Sequence, residues 1–267
     1  MEMLEVNGVA IHTHEIGPSD GPTLFFANSL GTDFRIWQKF IPYIPNSYKA
    51  IFYDKRGHGL SEVAPGSVSI SDLASDIVRI ADAKSVDTFC IIGVSIGGQI
   101  GLEVASQYPD RIGALVFSNS APKIRDEEFW DTRIQSISQT GILPAADRIL
   151  EMWFSEDFRN SCPIELKGWK AMLSRIPMDG YLACCEALKL GDLRSHASQI
   201  EHETLVIAGT EDGSTPPELV KEGYKQFKNA QFKVIHGSGH LPPIEKPKEF
   251  AQLIFPFIES TKWYNNL

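Results

Sequence analysis

The chain has 267 residues, 43% hydrophobic and 22% charged, a balance that supplies one sizeable core and excludes wholesale disorder. Lysines and arginines number 25 against 34 acids, and the resulting net charge of −9 excludes a protein that coats nucleic acid with a basic face. No apolar run approaches the roughly 18 residues of a membrane span, and the acidic N-terminus lacks the basic-then-apolar layout of a signal peptide. A cytoplasmic protein with no membrane partner is the expectation, and the four cysteines, Cys90, Cys162, Cys184 and Cys185, fit it, having neither zinc-ligand nor disulfide-framework spacing.

In chain order the first element is a hairpin. Residues 3–6 and 9–14 flank Asn7-Gly8, a dipeptide suited to a type I′ turn because both positions tolerate positive φ. Compact apolar runs follow at 23–28, 50–54, 89–94, 114–119, 204–209 and 232–236. They are rich in Val, Ile and Phe and apolar on both faces, which predicts strands buried in a parallel sheet. Helical spacing separates them. Ile70, Leu73, Ala74, Ile77, Val78 and Ala81 recur at three and four, with Ser71 or a neighbour as cap. Ile100, Val104 and Ala105 follow the 89–94 run, and Phe250, Leu253, Ile254 and Phe257 form the last helix. This alternation predicts an α/β fold, a mostly parallel central sheet with helices on both faces.

The alternation breaks at 122–200. That stretch has no strand-like run and carries Phe129, Trp130, Trp153, Phe154, Phe158 and Trp169 among helical spacings. The expected organisation is a core of residues 1–121 and 201–267 with a helical cap, 122–200, inserted over the sheet.

Gly93-Val94-Ser95-Ile96-Gly97 reads as G-x-S-x-G directly after a strand and before a helix, the setting of a nucleophile elbow. The glycines permit an abrupt turn that projects the Ser95 hydroxyl and leaves backbone N–H groups at a helix N-terminus, where an oxyanion is stabilised. A nucleophilic serine needs a base, and the base needs an acid, in the order acid then histidine. The acid falls at Glu211 or Asp212, on the loop after the 204–209 strand. Of seven histidines, only His240 combines this order with a glycine-rich loop after a strand; His58, in Arg56-Gly57-His58-Gly59, reads as part of a structural turn. The oxyanion donors are expected to be the backbone N–H groups of Ile96 and of Leu30, the latter in Asn28-Ser29-Leu30-Gly31-Thr32.

These residues resemble the α/β-hydrolase superfamily over nearly the whole chain, through Asn28 to Asp33, the run Asp54-Lys55-Arg56-Gly57-His58-Gly59-Leu60-Ser61, the Ser95 elbow and His240. The resemblance favours Asp212 over Glu211. Many members carry His-Gly where this chain has Asn28-Ser29. Asn-Ser-Leu-Gly-Thr is similar to the 3-oxoadipate enol-lactonases of aromatic catabolism. So are the cap segments: Phe129-Trp130-Asp131-Thr132-Arg133-Ile134, Trp153-Phe154, Gly180 to Leu188, and Asp192-Leu193-Arg194. A departure is Leu241-Pro242-Pro243 after His240, where a more polar pair is expected.

The resemblance implies hydrolysis of a small anionic lactone by a Ser95–His240–Asp212 triad, with no metal and no organic cofactor. The substrate's carboxylate calls for a cation. Arg133 lies three residues from Trp130, on the same face of a cap helix, and is the expected partner; Arg125, Arg148 and Arg175 are the alternatives. Trp130 and Trp153 are expected to wall the pocket. A general carboxylesterase, another lactonase, or a ligand receptor of the same fold are the competing readings, and direct attack by water competes with an acyl-enzyme.

Overall fold

A computed structural model describes residues 2–267. Its centre is an eight-stranded sheet in the order β1-β2-β4-β3-β5-β6-β7-β8. The strands are β1 (Glu2–Val6), β2 (Val9–Ile16), β3 (Thr23–Ala27), β4 (Lys49–Tyr53), β5 (Phe89–Val94), β6 (Ile112–Ser118), β7 (Thr204–Gly209) and β8 (Ala230–Ile235). The hairpin around Asn7-Gly8 forms, and β2 continues antiparallel onto β4; all other neighbours pair in parallel. The expected α/β architecture is therefore the observed one.

The central strands β3, β4, β5 and β7 are buried at every residue, as their two-sided apolar runs require. β8 differs. It is an edge strand whose Gln231 and Lys233 face solvent, so this run is half-exposed and a lysine guards the open edge.

Helices α1 (Ile70–Ala83) and α2 (Ile96–Gln107) follow β4 and β5. The cap of α1 is Ser69, a neighbour of Ser71. Its hydroxyl accepts from the Asp72 N–H at 3.1 Å while the Asp72 carboxylate accepts from the Ser69 N–H at 2.8 Å, a reciprocal box. After β6 come six helices before the sheet resumes: α3 (Glu127–Thr140), α4 (Ala146–Trp153), α5 (Glu156–Ser161), α6 (Pro163–Ser174), α7 (Met178–Leu190) and α8 (Arg194–Gln199). Packing of α3 along α7 buries Trp130, Ile137, Tyr181, Cys184 and Cys185. This group meets the core where two glycines touch. A Cβ on Gly180 would lie 2.4 Å from the Gly57 carbonyl oxygen, so neither position has room for a side chain.

The chain closes with α9 (Pro217–Tyr224), α10 (Pro242–Glu245), α11 (Pro247–Ser260) and α12 (Lys262–Asn265). Phe250 from α11 packs with Trp37 and Phe40 against the sheet, at centroid separations of 6.5 and 5.5 Å. All four cysteines are free thiols. No helix among the described residues is long and apolar enough to cross a membrane.

Candidate active site

The carboxyl ends of β3, β5, β7 and β8 gather the chemistry-bearing residues at one rim of the sheet. Ser95 sits where β5 becomes α2, at φ 60° and ψ −122°. Its neighbours explain how a serine is held there. A Cβ on Gly93 would lie 2.2 Å from the Gly97 carbonyl oxygen, and one on Gly97 would lie 2.1 Å from the Ala27 carbonyl oxygen. The turn is fixed by Ser95 N–H donating to the Ser118 carbonyl at 3.0 Å and by the Ser120 hydroxyl donating to the Ser95 carbonyl at 2.7 Å.

His240 and Asp212 arrive on the loops after β8 and β7. His240 Nδ1 lies 2.8 Å from Asp212 Oδ2. The carboxylate is held by four further donors. Oδ1 accepts from the N–H groups of Ser214 and Thr215 at 2.8 and 2.9 Å. Oδ2 accepts from the Thr215 hydroxyl and the Asn119 amide at 2.7 and 2.9 Å. With Nδ1–H donating to the carboxylate, the network assigns the free lone pair to Nε2. That lone pair meets the Ser29 hydroxyl at 3.2 Å. Among the described residues no hydrogen bond joins Ser95 Oγ to His240, although both line one cleft.

The last turn of α4 grips both loops. The Trp153 carbonyl accepts from His240 N–H at 2.7 Å and the Met152 carbonyl from Gly213 N–H at 3.1 Å. Helix C-termini leave such carbonyls without intrahelical partners, so α4 satisfies its own end by fixing the acid and histidine loops. Glu245 adds a second tie. It accepts from Gly239 N–H at 2.9 Å and from Ser155 N–H at 3.1 Å, and burial raises its carboxyl above the usual range.

The N–H groups of Leu30, on the loop after β3, and of Ile96, at the start of α2, find no acceptor among the described residues. Asn28 anchors the start of the loop after β3, donating to the Tyr53 carbonyl at 2.8 Å and accepting from the Trp37 indole at 2.7 Å. Two buried side chains from the turn after β4 hold the rest. Lys55 donates to the Ser29 carbonyl, and His58 Nε2 accepts from Gly31 N–H at 3.1 Å. His58 is thus more than a turn residue. Burial, reinforced by the nearby Lys55 charge, drives its imidazole well below the usual range, which keeps Nε2 free to accept.

The cleft above Ser95 is walled by Trp130, Trp153 and Tyr181 from the inserted helices. Among the described residues two arginines, Arg125 and Arg133, line it, and no aspartate or glutamate does. Arg125 spends its N–H groups on the Ser214 and Gly213 carbonyls at 3.1 and 2.8 Å. Arg133 has no carboxylate partner among the described residues. Its guanidinium stacks over the rings of Phe129 and Trp130, 4.9 and 5.7 Å from their centroids, and lies 3.5 Å from the Tyr181 hydroxyl. The Trp130 indole N–H is committed to the Ile124 carbonyl at 2.7 Å, so this ring both walls the cleft and supports Arg133. Arg148 lines a neighbouring cavity and Arg175 a different one beside Asp33 and Arg35.

The cleft itself holds about 30 Å³, the room of about one water. A cavity of about 440 Å³ on the flank between α3 and α4 shares Phe129, Arg133 and Met152 with it. No group of His, Cys, Asp and Glu among the described residues is arranged to hold a metal ion.

Residues 22–247 match the family described as the alpha/beta hydrolase fold. The chain belongs to the α/β-hydrolase family. This hydrolase is 31% identical to 3-oxoadipate enol-lactonase 2 of Acinetobacter baylyi, over 95% of its own length and 94% of the relative's. It is 26% identical to putative carbamate hydrolase RutD of Caulobacter segnis, over 95% and 97%. Among solved structures, the enol-lactonase of Burkholderia xenovorans LB400 matches it with a TM-score of 0.93 at 29% identity, covering 96% of this hydrolase and 99% of that chain.

Three features of the hydrolase's site went unassigned from its sequence: Asn119 and Thr215 on the carboxylate, the Ser29 hydroxyl at His240 Nε2, and the Lys55–His58 support of the loop. Ser29 carried a signal, since it replaces the glycine common in the family. The others depend on contacts between residues distant in sequence.

Proposed function

We propose that this hydrolase opens 3-oxoadipate enol-lactone, or a closely similar anionic enol-lactone, to the oxo-dicarboxylate, with Ser95, His240 and Asp212 as its triad. The observation that carries the reading is a cleft containing Ser95 and His240, lined by two arginines and no acid; the similarity to enol-lactonases supports it. Arg133 pairs with the substrate carboxylate, Trp130 and Trp153 wall the ring, and residues 122–200 act as the cap that admits and encloses it.

Ser95 Oγ adds to the lactone carbonyl carbon as His240 Nε2 takes its proton. Asp212 holds the imidazole in this tautomer and stabilises the imidazolium. The N–H groups of Leu30 and Ile96 receive the oxyanion, each worth about 3 kcal/mol of barrier by analogy with other such donors. Collapse breaks the ring C–O bond, and the departing enol oxygen takes the proton from His240 before tautomerising to the ketone. Water, deprotonated by His240, then releases the acyl group from Ser95.

The test supplies purified protein with freshly generated enol-lactone and follows its loss against 3-oxoadipate formation. Preference for the lactone over 4-nitrophenyl acetate is the expected result. Comparable turnover of the two favours a general esterase, and an absence of lactone turnover overturns the reading.

A further inference from the structure

Lys55 is only 1% exposed, at the carboxyl end of β4. A lysine is among the costliest groups to bury, and this one has no ion-pair partner among the described residues. Its Nζ donates instead to the carbonyl oxygens of Ser29, at 2.6 Å, and Thr32, at 3.3 Å. The Ser29 carbonyl and the Leu30 N–H belong to one planar peptide unit. A cation on the oxygen fixes the orientation of that plane and polarises the amide, which makes its N–H a stronger donor.

We propose that Lys55 is the positioning residue of the oxyanion site: its ammonium holds the Ser29–Leu30 peptide with the N–H toward the acyl oxygen on Ser95 and places a positive charge behind it. This rests on the reading of Leu30 as an oxyanion donor and not on which ester is the substrate. The same loop carries the Ser29 hydroxyl that meets His240 Nε2, so Lys55 also braces the group opposite the base.

The arrangement is sensitive to pH. Burial brings Lys55 down to about 8, although Cys184 from α7, Asp54 beside it and Asp33 from the loop after β3 pull the other way. Cys184 is itself pushed up to about 11 by burial, and the neighbouring His58 lies well below its usual range. Of Lys55, Cys184 and His58, Lys55 is therefore the one brought to change charge near pH 8. An unfolded lysine titrates near 10.5, so between about 8 and 10.5 the unfolded chain binds the extra proton and the Lys55 contribution to stability rises with pH. Deprotonation of Lys55 over this window therefore does not itself destabilise the fold.

Labelling of Ser95 by an alkyl fluorophosphonate tests this without a known substrate. The Oγ–P bond forms, P–F breaks, fluoride leaves and the serine proton passes to His240. The labelling rate of the wild-type protein is expected to fall as pH rises through about 8, with circular dichroism unchanged. Lys55→Met is expected to label about tenfold to a hundredfold more slowly at pH 7, less than the 10²–10³ of a directly contacting donor, and to lose the alkaline fall. Lys55→Arg keeps its charge, so it loses the fall while labelling faster than Lys55→Met. A folded Lys55→Met that keeps both rate and alkaline fall overturns the proposal. If that variant does not fold, a flat wild-type rate from pH 7 to 9.5 overturns it equally. Ser95→Ala is run beside them: absence of labelling in the variant alone supports the site, whereas a wild-type protein that never labels at Ser95 overturns the site and the role of Lys55 with it.

Discussion

Arg133 and Ser95 make separable demands on the same cleft. Removing the Ser95 hydroxyl removes the proposed nucleophile but leaves the Leu30 and Ile96 N–H groups, so Ser95→Ala should keep the fold and lower turnover by several orders of magnitude. His240→Ala should cost about as much, because base and nucleophile act as a unit; steady-state rates on the enol-lactone check both, and near-normal activity in Ser95→Ala would remove covalent catalysis. Arg133 should act on recognition. Its guanidinium is pre-set by Phe129 and Trp130 and has no carboxylate partner among the described residues, so the substrate carboxylate is its partner in the proposed reaction. Arg133→Ala should cost about 2–5 kcal/mol in kcat/KM for the anionic lactone and little for a neutral ester of similar size. Arg133→Lys should recover part of it, since lysine keeps the charge and loses the fork. Equal losses on both substrates would make Arg133 structural.

Secondary-structure elements matter here through their ends. The β5–α2 junction is defined by two glycines whose missing side chains make space for the carbonyls of Gly97 and Ala27. Gly97→Ala forces the Ala27 backbone away from α2. It should destabilise by about 1–3 kcal/mol in a denaturant titration and also depress turnover, because the same shift moves the Ile96 N–H. Ser69→Ala is the contrasting change. It removes a helix cap that does not line the cleft and should cost about 1 kcal/mol of stability with turnover unchanged. The C-terminus of α4 joins both themes, since its Met152 and Trp153 carbonyls fix the loops of Asp212 and His240 while their side chains line the cleft.

Across the whole molecule, buried bases on the β4 turn tie stability to pH. His58 is held neutral by burial and lies well below its ordinary value of 6.5. As pH falls through about 6.5 the unfolded chain gains a proton that the folded protein refuses, so stability present above that value is lost below it. The thermal midpoint should therefore drop between pH 7 and pH 5. His58→Gln, whose amide oxygen can accept from Gly31 N–H without titrating, should flatten that slope; an unchanged slope would place the acid sensitivity elsewhere.

Periodicity and spacing alone determined the strands, their parallel pairing through β3 to β8, the principal helices and the elbow at Ser95, because each is a local pattern of side-chain volume and polarity. The order of the chain was enough to nominate His240. Glu211 and Asp212 were beyond its reach: adjacent residues differ only in which one the loop turns inward, and the tertiary structure directs Asp212 to the imidazole and leaves Glu211 to meet the Glu156 N–H. The choice of Ser69 among the neighbouring candidates for the α1 cap was made by backbone geometry at the helix start, and β8 proved half-exposed because strand order, which no single run encodes, puts it at an edge. The alternation of Asp54, Lys55, Arg56 and His58 reads in sequence as an ordinary polar turn. Only the packing of α7 and the loop after β3 over that turn buries Lys55 and His58, and it is burial that turns a surface charge into a fixed support for the site.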